Sequence, residues 1–137
     1  MRKFIPLLLA GALLSTTGAA QAATDHTPQA QLARAIAGRV AGKPVDCINL
    51  RDISSSRIID KTAILYDVGG GKLYVNSPTS GAETLRSDNV LVTDTHSSQL
   101  CSIDIVRLYD SGSRMQSGSV GLGQFVPYTK PVAARGS

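Results

Sequence analysis

One short acid, histidine and serine run and one acid inside an apolar stretch are the groups in this chain whose types and spacing could do proton-transfer or nucleophilic chemistry. Asp94, His96, Ser97 and Ser98 follow one another closely. Asp94 could orient His96 as a base or share a metal with it, with a neighbouring serine as nucleophile. Adjacent residues of an extended chain project to opposite faces, however, and neither a Gly-x-Ser-x-Gly elbow nor a His-x-x-x-His pair accompanies the run. His96 therefore reads as a solvated loop histidine, and the other histidine, His26, sits near the start of the mature chain. Asp104 lies beside Ile103, Ile105 and Val106. It could be a buried acid satisfied by the backbone or by Arg107, an acid facing a cleft, or an acid on the solvent face, the last favoured by Ser102 two residues earlier. A polar cleft around Asp104, Tyr66 and His96 is what an enzymatic or ligand-binding reading requires. No residue is assigned as catalytic, cofactor-binding or metal-ligating.

Gly69-Gly70-Gly71-Lys72 places glycines before a lysine, as phosphate loops do. Such loops need a wider spacing, a Ser or Thr after the lysine and a following helix, whereas Leu73 follows here in an apparent strand, so the segment reads as a hairpin turn. The two cysteines, Cys47 and Cys101, can bond only to each other within the chain. In an oxidising compartment that bridge closes a loop of about 55 residues, worth roughly 4 kcal/mol by chain entropy. A redox-active pair is disfavoured because the cysteines lack Cys-x-x-Cys spacing.

The elements that must position these groups are mostly strands. Leu100 to Asp110 reads as one central strand, with Cys101, Ile103 and Ile105 on one face. Thr27 to Val40 reads as a helix, capped by Thr27, opened by Pro28 and closed by Gly42 and Pro44, with Leu32, Ile36 and Val40 along a narrow apolar stripe. Val45 to Ile53 is a strand of ambiguous register or a single helical turn. Arg57 to Asp60 is a short strand that Asp60-Lys61 turns back. A two-residue turn at Gly69-Gly70 sets Tyr66 opposite Leu73, Ile64 opposite Val75 and Asp67 opposite Lys72, keeping the apolar residues on one face. Ser77 to Asn89 is expected as a mobile loop, Val90 to Thr93 as a strand, and Ser111 to Gly118 as a flexible connection. Ser119 to Leu122 and Gln124 to Tyr128 form the last strands, broken at Gly123, with Pro127 at an edge or strand end. The expected fold is mainly β with one N-terminal α-helix: a small antiparallel, partly closed sheet, barrel-like or sandwich, of about six or seven short strands.

Residues 1–22 are read as a signal peptide: Arg2 and Lys3, an apolar run from Ile5 to Leu14, and Ala20-Gln21-Ala22 at the cleavage site. The run is about half the length a membrane span needs. Residues 23–44 form the helix and a linker, 45–130 a single disulfide-fastened domain, and 131–137 a disordered tail. Loss of the signal leaves twelve Lys and Arg against ten acids, a formal charge of +2. The cations are scattered singly, which argues against nucleic acid as a partner. The expected location is periplasmic or secreted, after cleavage near Ala22, with no transmembrane segment.

Cys47-Ile48-Asn49-Leu50-Arg51-Asp52-Ile53, Tyr74-Val75-Asn76, Ser98-Gln99-Leu100-Cys101-Ser102-Ile103-Asp104 and Gly121-Leu122-Gly123-Gln124-Phe125 together resemble an uncharacterised family of small exported proteobacterial proteins of sphingomonad type, a domain of unknown function. The resemblance runs from Cys47 to Tyr128. It implies no known activity. Similar proteins carry two further cysteines, one in the loop after the hairpin and one just before Gly-Leu-Gly, where this chain has Gly81-Ala82 and Val120. Their joint absence implies that they bond to each other, leaving Cys47 and Cys101 as the other bridge. Export, one bridge and the lack of a catalytic constellation favour a non-catalytic envelope protein that binds another envelope protein or a cell-envelope component. The alternative is a small periplasmic hydrolase or ligand-binding domain built around Asp104, Tyr66 and His96.

Overall fold

Apolar side chains in period-two alternation, punctuated by glycine and aspartate turns, fold this chain into antiparallel strands on two sides of one main core. The computed structural model describes residues 25–131. The expected signal peptide and, apart from Pro131, the expected tail lie outside them. The described residues contain one α-helix and ten short strands in three antiparallel sheets, more and shorter strands than the six or seven expected. The sheets do not close into a barrel, and the layering is that of a sandwich.

Helix α1 (Pro28–Ile36) starts as its sequence dictates, with the Thr27 hydroxyl accepting from Ala30 N and Pro28 at the first position. It ends a turn earlier than expected. Gly38 takes a left-handed φ of 72°, Arg39 donates back to the Ala35 carbonyl, and Val40 leaves the helix stripe to enter strand β1 (Val40–Ala41). The large sheet runs β1-β10-β5-β4-β3, with β3 (Ser55–Ile59), β4 (Ala63–Asp67), β5 (Lys72–Asn76) and β10 (Phe125–Thr129). Asp60-Lys61 turns β3 into β4 as expected, Lys61 adopting a left-handed φ of 55°. Pro127 lies within the sheet rather than at its edge or a strand end. Its carbonyl accepts from Gly42 N, and its missing N–H points the same way, so no bond to β5 is lost.

The β4–β5 register corrects the expected hairpin. Tyr66 stands opposite Tyr74, Ile64 opposite Asn76 and Asp67 opposite Leu73, joined by a three-glycine turn rather than a two-residue one. The expectation assumed one buried face. Both faces of β4 are covered: Ile64 and Tyr66 enter the main core, whereas Ala63 and Leu65 pack with Leu73 and Val75 under Leu32, Ala35 and Ile36 of α1. Gly69, Gly70 and Gly71 all have φ between 63° and 76°, a run of left-handed residues that side chains would oppose.

The stretch expected as one central strand is two. Asp104 breaks it: its Oδ2 accepts from Cys101 N at 2.7 Å and its own N–H reaches the Cys101 carbonyl, turning the chain at Ser102-Ile103. Strand β7 (Gln99–Cys101) pairs with β2 (Cys47–Asn49), followed by a 3₁₀ turn at Leu50–Asp52, so the ambiguous Val45–Ile53 segment holds both of its readings. Strand β8 (Ile105–Asp110) lies between β6 (Asn89–Thr93) and β9 (Gln116–Gly121). Of the face expected to hold Cys101, Ile103 and Ile105, Ile103 is 89% exposed and Ile105 63%. The Ser111–Gly118 connection is shorter than expected, because β9 begins at Gln116 and Asp110 accepts from Gly112 and Ser113 N to fix the turn.

The Ser77–Asn89 loop is tied down, against the expectation of mobility. It holds a 3₁₀ turn at Ala82–Thr84, a bridge from Ser80 to Gly121, and the fully buried Leu85, whose carbonyl accepts from Lys61 N. The main core joins Ile48 and Leu100 of the ribbon, Val106, Leu108 and Val120 of the small sheet, and Ile58, Ile64, Tyr66 and Phe125 of the large one.

Candidate functional site

The Cys47–Cys101 disulfide forms between directly opposed residues of β2 and β7, their Cα atoms 4.0 Å apart. Ile48 and Leu100 point from the same ribbon into the core, so the bridge lies on the ribbon's other face. Strand alternation then places Asn49 and Gln99 on the face of the bridge, again directly opposed, with Gln99 Nε2 donating to Asn49 Oδ1 at 3.2 Å. Asn49 Nδ2 donates in turn to Asp52 Oδ2 at 3.2 Å.

Against this amide and carboxylate row stands the tri-glycine turn. The two enclose a cleft of about 350 Å³ whose polar wall includes Asn49, Asp52, Gln99 and Lys72, with Tyr74 and Gly69 beside them. The Lys72 ammonium sits 4.9 Å from the Tyr74 ring centroid, a cation–π contact. Asp67 Oδ1 accepts from Gly69 N, and the Gly69 carbonyl accepts from Lys72 N. These amides close the turn on itself rather than opening it as a phosphate cradle.

The second feature is the β6–β8–β9 sheet, whose inner side chains Val106, Leu108 and Val120 are fully buried. On its outer face Val90 is 50% exposed, Val92 38% and Ile105 63%. Strand β6 is an edge of this sheet. Asn89 N is bonded to the Arg86 carbonyl and Asp110 N to the Met115 carbonyl, so this opposed pair turns its backbone groups away from each other. Antiparallel alternation then makes Leu91 and Thr93 the residues whose N–H and C=O face outward from the edge. The edge is uncharged from Asn89 to Thr93 and bracketed by Asp88 and Asp94.

The three residues of the expected cleft are not brought together there. Tyr66 is buried beside Phe125, ring centroids 5.8 Å apart, and its hydroxyl has no partner among the described residues; burial pushes its pKa well above the ordinary tyrosine value. Asp104 is half-buried and committed to the Cys101 N–H. His96 is exposed in the β6–β7 loop, where Asp94 pairs with Arg107 at 2.9 Å and the Ser97 hydroxyl donates to the Gln99 carbonyl. No group of three or more His, Cys, Asp or Glu among the described residues could hold a metal, and no helix among them is long and apolar enough to cross a membrane. The disulfide fits an extracytoplasmic protein.

Sequence reasoning missed the cleft. The available signal was the bridge itself: if Cys47 and Cys101 are opposed in an antiparallel pair, residues two on and two back, Asn49 and Gln99, must also be opposed on that face. Comparison with family models, curated proteins and solved structures returns no significant match.

Proposed function

We propose that this chain is a non-catalytic exported binding module whose working surface is the open edge of β6 with the apolar face beside it. Its partner is an extended segment of another envelope protein, added to the sheet as a further strand. The observation that carries this reading is the edge itself: outward N–H and C=O groups on Leu91 and Thr93, flanked by the exposed Val90 and Val92. Backbone bonds supply affinity in such pairing, and the alternating side chains supply selectivity. A second copy is a poor occupant. Two β6 strands paired around Leu91 would set Asp88 of each against Asp94 of the other, a like-charge opposition.

Export by a signal peptide at residues 1–22, and release into the periplasm or beyond, belong to the same reading. So does membership of the small exported proteobacterial family. Supporting it, the loop and strand where similar proteins carry their extra cysteines lie against each other here: Ser80 bridges Gly121, each one residue from the place concerned.

The test is chemical cross-linking in the intact envelope of the cells of origin, followed by capture of the tagged protein and of its Val92→Lys form. A charge at an edge position blocks strand addition while leaving the core intact. The expected result is one protein enriched with the parent and lost with Val92→Lys, cross-linked through an extended segment, at unchanged melting temperature. Capture of the same proteins by both forms would overturn the proposal.

A further inference from the structure

The cleft between the tri-glycine turn and the disulfide ribbon uses no residue of β6, and its chemistry points to a different kind of ligand. It contains a cation and a carboxylate that do not meet. Among the described residues the single ion pair is Arg107 with Asp94, so Lys72 has no carboxylate within 4.0 Å, and its recorded contact is the Tyr74 ring. An ammonium carries three donors, and the ring face occupies at most part of that capacity. Asp52 has one carboxylate oxygen on the Asn49 amide. Its other oxygen accepts no hydrogen bond from the described residues. Gln99, held through its nitrogen by Asn49, keeps its carbonyl oxygen as a further acceptor.

A molecule that satisfies this wall must bring a negative group to Lys72 and a positive, hydrogen-bond-donating group to Asp52. The volume of about 350 Å³ suits a ligand of modest size. We propose that the cleft binds a small zwitterion, an amino acid or short peptide with free ends, its carboxylate on Lys72 and its ammonium on Asp52.

Two other ligand classes fit less well. A saccharide would stack on an aromatic face, yet Lys72 already covers the face of Tyr74. A phosphate would meet the Asp52 carboxylate, and the Gly69 and Lys72 backbone N–H groups that could cradle it are spent within the turn. The Asn49 amide fixes both of its neighbours before any ligand arrives, which lowers the ordering cost of binding.

The test is a titration of the ¹⁵N-labelled protein with alanyl-alanine, followed by amide chemical shifts. Parallel titrations use N-acetyl-alanine amide, N-acetylglucosamine and inorganic phosphate. Saturable shifts at Asn49, Gly69, Lys72 and Gln99 with the dipeptide alone are expected. Lys72→Met and Asp52→Asn should each weaken that binding by about tenfold or more, the loss of one charge-assisted contact, at unchanged melting temperature. Lys72→Met keeps an apolar chain over Tyr74, and Asp52→Asn keeps an acceptor for Asn49, so both should remain folded. No saturable shift up to about 10 mM dipeptide, ten times weaker than a millimolar Kd, would overturn the proposal. Equal shifts with the neutral amide, the sugar or phosphate would overturn it too.

Discussion

Strands β4 and β8 each lie between two neighbours in an antiparallel sheet, yet β4 is covered on both faces and β8 on one. In β8 the alternation is plain: Ile105 and Arg107 are exposed while Val106 and Leu108 are fully buried. In β4 the four residues Ala63, Ile64, Leu65 and Tyr66 are all buried, alternately against α1 and against the main core. A one-sided strand leaves its outer face free for recognition. A two-sided strand spends both faces on stability, and the β6–β8–β9 sheet accordingly holds three of the four exposed large apolar side chains that lie in strands among the described residues, Val90, Val92 and Ile105, the fourth being Val40 of β1.

The sharpest way to break this comparison is to truncate adjacent residues in each strand and measure unfolding in urea. Ile64→Ala and Leu65→Ala should each destabilise by about 2–5 kcal/mol, because each empties a packed site, although they face opposite ways. In β8, Leu108→Ala should lose a similar amount and its neighbour Arg107→Ala less than about 1 kcal/mol, its ion pair with Asp94 being exposed. A small loss for Leu65→Ala would mean that α1 does not seal the second face.

The disulfide ribbon gives the next effect. Strands β2 and β7 pair through only three residues each, so the ribbon depends on its bridge and on Ile48 and Leu100 beneath it. Cys47→Ser with Cys101→Ser should lower stability by about 2–4 kcal/mol, the bridge spanning 54 residues of sequence. The same urea experiment reads it. A loss below about 1 kcal/mol would show that the core holds the ribbon without the bridge.

How much of this was legible follows the same division. The mainly β antiparallel class with one N-terminal helix, the start of α1, the Asp60-Lys61 turn, the β6 strand and the pairing of Cys47 with Cys101 follow from alternation, caps, turn residues and cysteine count. The β4–β5 register did not, because alternation locates a strand's buried face only where the other face is wet. The break at Asp104 was hidden for a different reason. Ile103 and Ile105 look like core residues, and the local bond from Cys101 N to the Asp104 side chain, not hydrophobicity, sets the chain direction there. The cleft rests on Lys72 and Gln99, which only tertiary packing brings to one wall.

Asn76 offers a middle-sized test of how the two-sided sheet is closed. It is fully buried, donating Nδ2 to the Gly123 carbonyl at 2.6 Å and accepting from Gly123 N at 3.0 Å. Asn76→Leu keeps the volume but strands both backbone groups of Gly123, a loss of about 2–3 kcal/mol. If β9 to β10 were instead held by packing alone, the substitution would be near neutral.

The smallest effect belongs to Tyr66, the one residue of β4 that carries a buried hydroxyl without a partner among the described residues. Tyr66→Phe removes a desolvated polar group and leaves the ring contact with Phe125, so at pH 7 it should be neutral or stabilising by about 1 kcal/mol. Burial raises the folded-state pKa above the ordinary value of about 10. The unfolded chain therefore releases this proton above pH 10 while the folded chain keeps it. The stability tied to the protonated hydroxyl is complete below about pH 10 and declines as pH rises towards the folded pKa. The parent should lose stability faster than Tyr66→Phe across that window, and because the other tyrosines are common to both proteins, the widening gap reports Tyr66 alone. A flat difference with pH would mean that the hydroxyl reaches water and that β4 is less completely sealed than β8's inner face, and a loss of more than about 1 kcal/mol at pH 7 would mean that it has a bonding partner.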